Sequence, residues 1–529
     1  MVQQLTDGRE CKLYLSRKVD TKKVFSARIF SAADTGIIFH DFLFSEVDTR
    51  CFLLESFLRK YAKILQVPLA FAKRVGYNIL NKKMRIYAEI FREDAMMELE
   101  RREYLQKLIA KKDNGRVKVV TGIRRCGKSY LLFELYTKYL YSQGVEEDQI
   151  IGIALDELPN AKYRDPFELD KYIRSQITDK TKRYYILIDE IQFAAEIQNP
   201  YVNDPSAKIN FIDVVLGLMK IKNADVYVTG SNSRMLSSDI LTQFRDRGDE
   251  IRVYPLSFAE FYEAYEGDKY NAWIDYYTYG GMPVTLTLHS HEQKSQYLRD
   301  LFTRTYLKDV VERHSIQNDT EVLEDLLNIV ASAIGSLTNP TKLSNTFASE
   351  KQVKISSATI DKYLGYFSEA FLLSKAERYD VKGKKYIKTP AKYYFTDVGL
   401  RNARLGFRQQ EETHIMENVL YCDLIRRGFD VDVGVVEYNF KKEDGKSARV
   451  QLEVDFVVNR GNQRYYIQSA LSIADPEKRK QEINSLTKIP DSFRKIVVVG
   501  DRINPWKDDH GILYIGIERF LLDENAIDM

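Results

Sequence analysis

Eight residues, Gly122-Ile123-Arg124-Arg125-Cys126-Gly127-Lys128-Ser129, satisfy the pattern G-x-x-x-x-G-K-[ST] in full. Glycines at these positions let backbone N–H groups turn inward around phosphate oxygens. A lysine next to the second glycine reaches β- and γ-phosphates, and the hydroxyl after it is a ligand for Mg²⁺. Gly122, Arg125, Cys126, Gly127, Lys128, Ser129 and Tyr130 are therefore the candidate nucleotide-binding residues, for ATP with Mg²⁺. Ser129 is also a candidate metal ligand.

A second cluster is the apolar run Tyr184-Tyr185-Ile186-Leu187-Ile188 closed by Asp189 and Glu190. Acids at the C-terminal tip of a buried parallel strand sit where ligands bind in open α/β sheets. Asp189 is expected to hold Mg²⁺ through water, and Glu190 to orient and deprotonate the attacking water. Asp225 to Thr229 reads as another strand, ending in Gly230-Ser231-Asn232-Ser233. Asn232, with Ser231 second, is the candidate for contacting the γ-phosphate or the water. Arg247 is a candidate arginine finger, in cis or from a neighbour; a surface ion pair is the rival account.

These residues need a scaffold, and the flanking pattern supplies one. Val117 to Thr121 reads as a strand before the glycine loop. Ser129 to Leu140 reads as a helix, with Leu131, Leu132, Leu135 and Leu140 on one face. Further strands are expected at Gln149–Asp156 and Ile251–Tyr254. A charged helix over Ala95–Lys111 would turn Leu99, Tyr104 and Leu108 inward. Beyond the sheet, Phe258–Tyr265, Trp273–Tyr279 and about His291–His314 read as helices of a lid, with isolated His314 a surface or packing residue. Three helices follow over 321–371. The third begins near Ser356 with the polar start and apolar face of a recognition helix. Leu372–Phe395 reads as a hairpin, and Lys382, Lys384, Lys385, Lys388 and Lys392 along it suit phosphate contacts. Before residue 92, Ile37–Phe44 could be a strand and Phe52–Val75 helical. That part is expected to be a small accessory domain or an upstream extension that does not fold stably, the functional protein beginning near Met84, Met96 or Met97.

With these motifs in hand the sequence resembles a known family. Residues 122–129, Leu-Ile-Asp-Glu-Ile-Gln (187–192), Val-Thr-Gly-Ser-Asn-Ser (228–233) and Val-Tyr-Pro-Leu-Ser-Phe (253–258) are similar to an uncharacterised prokaryotic family of AAA-type P-loop ATPases with a C-terminal domain of unknown function. Tyr-Gly-Gly-Met-Pro (279–283), Tyr306-Leu307-Lys308-Asp309 with Arg313, and Lys392 to Asp397 extend the likeness, which covers roughly Leu99 to the C-terminus. The resemblance implies a P-loop fold with a catalytic glutamate and an extra central strand, then a winged helix, then a restriction-endonuclease-like domain. It implies no substrate.

In restriction-like nucleases a helix glutamate, a strand aspartate and an E-x-K pair gather Mg²⁺. Here Glu417 and Asp455 match, Gln468 replaces the acid, and Ala470 stands where the lysine belongs. Gln468 offers a neutral oxygen, but Ala470 cannot stabilise an oxyanion. Lys478 or Lys480 could substitute spatially. The expectation is a degenerate site, Glu417, Asp455 and Gln468, in a fold kept for binding or structure.

Bulk numbers set the frame. A chain of 529 residues is too long for one core. A net charge of +3 excludes a chain-wide basic field, so nucleic acid could bind only at a local patch. Cys11, Cys51, Cys126 and Cys422 lack metal or disulfide spacing, and no signal peptide or spanning run is visible, which fits a cytoplasmic protein with no membrane partner. The expected order is an N-terminal extension (1–94), a P-loop ATPase domain (95–262), a helical lid (263–320), a winged helix (321–398) and a restriction-endonuclease-like α/β domain (399–529). The expected function is a Mg²⁺-dependent ATPase coupling nucleotide state to a DNA- or protein-binding C-terminal region. The alternatives are a nucleotide-switch scaffold and an ATP-controlled nuclease. Partner, pathway and oligomeric state are left open.

Overall fold

The computed structural model describes the backbone of four strands between Val2 and Ser45, and residues 99–529 except 231–243, 245–246, 308–309, 312–313, 315, 317–319, 409–410 and 442–446. The chain forms two compact units, Met1–Met96 and Met97–Met529.

In the first unit β1 (Val2–Thr6), β2 (Arg9–Arg17), β3 (Val24–Ala33) and β4 (Gly36–Ser45) form an antiparallel meander in chain order. β4 contains the strand expected at 37–44. The helix expected over 52–75 lies outside the described residues.

The second unit opens with the helix Arg102–Lys111, which buries Tyr104 and Leu108. Next comes a five-stranded parallel sheet of β5 (Val117–Thr121), β6 (Ile150–Ala154), β7 (Tyr184–Asp189), β10 (Ala224–Thr229) and β11 (Gly248–Arg252), in the order β11-β5-β10-β7-β6. A two-residue ribbon, β8 (Ile197–Gln198) and β9 (Lys208–Ile209), stands apart. β5, β7 and β10 are buried at every position, as strands covered on both faces are, and the two opposite charges inside them, Lys118 and Asp225, pair with each other. β10 lies between β5 and β7, so an extra strand does separate the loop-bearing strand from the acid-bearing one. Helical residues 128–142, with a π-helical stretch at Leu131–Tyr136, place Leu131, Leu132, Leu135 and Leu140 in one core with Val120 and Leu187. Leu169, Ile173, Val215 and Leu218 pack with Ile186, Ile188 and Val226 in a second core.

Helices Phe258–Ala264, Ala272–Tyr279 and His291–Leu301 and a π-helical turn Phe302–Leu307 follow the sheet. Three of the motifs named above meet here. The Leu256 N–H donates to Gly281 O at 2.7 Å, and the Gly281 N–H donates to Asp397 Oδ2 at 2.7 Å. A Cβ at Gly281 would lie 2.1 Å from Leu256 O, so no larger residue allows this approach. Asp397 also caps the helix Val398–Arg404 by accepting from Leu400 N–H at 3.0 Å.

Helices Thr320–Ser332, Pro340–Glu350 and Ser357–Glu369 precede the hairpin β12 (Leu373–Asp380) and β13 (Lys385–Phe395). Thr338 pairs with Ala391 of β13 in an isolated antiparallel bridge. His314 stacks on Tyr366 with ring centroids 3.4 Å apart, a packing role. The hairpin is not a separate module. β12 pairs in parallel with β14 (Asp430–Lys441), joining one eight-stranded mixed sheet with β15 (Ser447–Arg460), β16 (Gln463–Ala470), β17 (Arg494–Val499), β18 (Trp506–Lys507) and β19 (Leu513–Gly516), ordered β13-β12-β14-β15-β16-β17-β19-β18. The sheet thus crosses the boundary expected at 398. Helix Glu412–Arg426 packs on one face over Phe456, Val458 and Ile467, and Leu486 of helix Pro476–Thr487 packs on the other with Val454 and Val457.

Candidate nucleotide site and a second carboxylate centre

β5 delivers the chain to the C-terminal edge of the parallel sheet. Gly122 turns there with φ +142, its Cα so close to Val253 that an added Cβ would stand 2.1 Å from that carbonyl oxygen. Arg125 (φ 66) and Gly127 (φ 97) carry the loop into the helix in left-handed conformations. Buried Lys128 donates from Nζ to Gly122 O and Ile123 O, both at 3.1 Å. Its charge therefore sits inside the loop, where backbone turns and a helix N-terminus suit an anion. Cys126 is buried, with Sγ 3.5 Å from Val253 O, so its side chain props the loop while Arg125 is exposed and Tyr130 half-buried.

Asp189 ends β7 at the same edge. Its carboxylate accepts the Thr229 hydroxyl, and the Ser129 side chain acts on its pKa from the phosphate loop. Burial pushes its pKa up, Thr229 and Ser129 pull it down, and nearby Glu190 and Asp156 raise it further. A divalent cation joining Ser129 Oγ to Asp189 would relieve that burden, and hard oxygen donors are what Mg²⁺ takes. Glu190 follows at φ 49, its N–H donating to Thr229 Oγ1 at 3.1 Å and its carboxylate accepting from Gln192 Nε2. Thr229, at the tip of β10, thus touches both acids. Sequence reasoning missed it, though a hydroxyl ending the neighbouring strand was a readable signal. Tyr306, quoted only for resemblance, donates from its hydroxyl to Arg124 O at 2.7 Å and so ties the helices after the sheet to the phosphate loop.

Lys128, Ser129, Asp189 and Glu190 come together at one sheet edge. Asn232 and Ser231 lie outside the described residues. Arg247 does not join them. The Val117 N–H donates to Arg247 O at 3.0 Å, so Arg247 sits at the start of β5, whereas the loop lies at its end. Five strand residues separate the two by about 16 Å. Arg247 is exposed on the opposite edge and is no finger for its own loop.

The C-terminal sheet holds a second constellation. Between Asp432↔Val457 and Gly434↔Val454 the β14·β15 register shifts, so Asp455 and Phe456 together oppose Val433. This bulge sets Asp455 on the same face as Phe456 and Glu453, under the helix bearing Glu417. The expected lysine substitutes do not fill the gap at Ala470, since Lys478 and Lys480 are exposed on their helix. Lys392 of β13 is there instead, its Nζ 2.8 Å from Glu417 Oε1, 2.7 Å from Glu453 Oε1 and 3.7 Å from Asp455 Oδ1. It is 2% exposed, so it is not among the lysines that the hairpin presents to solvent. Tyr394, two residues on, donates its hydroxyl to Glu417 Oε1 at 2.6 Å. Gln468 does not offer a free oxygen, for its Oε1 faces the Asp455 N–H at 3.4 Å and its Nε2 donates to Glu482 at 3.3 Å.

Residues 114–262 match a family model described as an AAA domain, and residues 270–411 match a domain of unknown function, DUF8612. With the parallel sheet and glycine loop, this defines an AAA-domain α/β protein. An uncharacterised protein of Haemophilus influenzae is 34% identical over 407 residues, spanning 76% of this chain and 93% of its own length. The chain belongs to the family of that protein. An uncharacterised protein of Methanocaldococcus jannaschii, MJ1544, is 26% identical over 382 residues, 69% of this chain and 77% of its own. A crystal structure of a DNA replication initiation factor superposes with a TM-score of 0.23 and 13% identity, over 52% of this chain and 90% of its own, too loosely to bear on function. Among the described residues no helix is long and apolar enough to cross a membrane.

Proposed function

We propose that the protein binds ATP with Mg²⁺ at the 122–129 loop and hydrolyses it, using the nucleotide state to reposition its C-terminal half. The reading rests above all on the meeting of the Lys128 loop and Asp189 at one edge of the sheet, where β5 and β7 run parallel on either side of β10. Loop amides and Lys128 hold the phosphates, Ser129 and Asp189 the cation, and Glu190 takes the proton from the attacking water. Tyr306 links the loop to the following helices. Through the joint of Leu256, Gly281 and Asp397 these continue into residues 320–398, which we read as a winged helix. Its exposed Lys382, Lys384, Lys385 and Lys388 suit nucleic-acid phosphates.

Glu190→Gln is the test. The variant should bind ATP as the wild type does and turn it over about 10²–10⁴-fold more slowly, as loss of a general base predicts. Unaltered turnover would refute the assignment. DNA stimulation of wild-type turnover supports coupling to nucleic acid, whereas slow turnover indifferent to DNA supports a nucleotide switch.

A further inference from the structure

We propose that the ammonium of Lys392 is the resident cation of the Glu417–Glu453–Asp455 centre, standing where a nuclease-like fold would hold a divalent metal, so that this centre takes no divalent ion and cuts no phosphodiester.

Three carboxylates converge on one buried nitrogen, two within 2.8 Å and the third at 3.7 Å. Burial opposes the charged form of Lys392, but the charges of Glu417, Asp455 and Glu453 outweigh it and hold the ammonium above its ordinary pKa. For Glu417 burial is likewise overcome, by His414 with Nδ1 3.8 Å from Oε2 and by hydrogen bonds from Lys392 and Tyr394, which hold its pKa below the ordinary carboxylate value. Asp455 moves the other way. Burial and the charge of Glu417 push it up to about 8, despite Lys392 and the Ser469 N–H that donates to its Oδ2 at 2.8 Å. Metal binding requires deprotonated ligands with free lone pairs. Here Glu417 Oε1 serves two donors, Asp455 Oδ2 serves a backbone N–H, and Gln468 is engaged at both ends. No group of three or more His, Cys, Asp or Glu among the described residues is arranged to hold a metal ion. The ammonium also comes from outside the nuclease-like elements, on the hairpin strand β13, so it pins that hairpin to the sheet.

The test is Mn²⁺ binding to the full-length, nucleotide-free protein, read by electron paramagnetic resonance, which needs no ATPase activity. Wild type and Asp455→Asn should take up the same amount of Mn²⁺. Lys392→Met should gain one Mn²⁺ site, and Lys392→Met with Asp455→Asn should lose it again. Mn²⁺ uptake by the wild type that disappears in Asp455→Asn would overturn the proposal, as would a folded Lys392→Met that gains no site. Should Lys392→Met not fold, the comparison of wild type with Asp455→Asn decides alone. Equal uptake supports the assignment and unequal uptake overturns it. Nicking of supercoiled plasmid by the wild type with Mg²⁺, absent in Asp455→Asn, would also overturn it.

Discussion

Thr229 donates its hydroxyl hydrogen to Asp189 across adjacent strands, and the same oxygen accepts the N–H of Glu190. One side chain on β10 thereby fixes the acid assigned to the metal and the backbone of the acid assigned to the water. Thr229→Val keeps the shape and removes both contacts. Leaving a buried acceptor and donor unmatched costs about 1–3 kcal/mol. ATP turnover should fall roughly ten-fold or more, by 1.4 kcal/mol per decade, with ATP affinity in the absence of Mg²⁺ little changed. A variant with wild-type turnover would show that Thr229 has no positioning role.

Lys128 closes the loop on two of its own carbonyls and is the cation that would meet the phosphates. A charged hydrogen bond is worth about 1.5–3 kcal/mol. Lys128→Ala should therefore weaken ATP binding by roughly one to two orders of magnitude, measured by calorimetry with the thermal melt as control for folding.

Tyr306→Phe deletes a single hydroxyl whose partner is Arg124 O at 2.7 Å. Losing a neutral hydrogen bond costs about 1 kcal/mol. The expected result is a several-fold change in the KM or kcat for ATP with an unaltered circular dichroism spectrum. A kinetically silent variant would remove the following helices from any account of how the loop is sensed.

Asp397 predicts a pH dependence. Burial pushes its pKa up to about 6, while N–H groups of Gly281, Leu400 and Gly399 pull it down. Because the folded value exceeds the unfolded one, the folded state holds this proton more tightly. The stability it contributes is complete below about pH 4 and is lost as pH rises through about 6. The melting temperature of the wild type minus that of Asp397→Asn should thus decline between pH 4.5 and 7. A difference independent of pH would contradict the buried, proton-binding state of this carboxyl.

The core sheet was legible because its strands are short apolar runs ending in chemistry. Val117–Thr121, Tyr184–Asp189 and Asp225–Thr229 lie where β5, β7 and β10 run. What escaped was placement that only tertiary structure decides. Arg247 follows the loop and acids in sequence, but chain order does not reveal that it stands at the opposite sheet edge. Lys392 looked like one more wing lysine, yet it alone opens an apolar run, Tyr393-Tyr394-Phe395, and its period-two partner Tyr394 reaches the same carboxylate. The bulge at Asp455–Phe456 leaves no mark in residue type, since both faces of β15 are apolar around it. Asn232 lies outside the described residues.

The parallel pairing of Arg378, Tyr379 and Asp380 with Val433, Gly434 and Val435 bears on how the chain can be divided. A fragment ending at residue 398 would keep every helix of the 320–398 region but bare the flank of β12, a raw strand edge that invites aggregation. It would also strand the Lys392 ammonium among apolar neighbours with its three counterions deleted. Anyone trimming this protein to isolate its hairpin should cut before Thr320 and carry the chain through to its last strand.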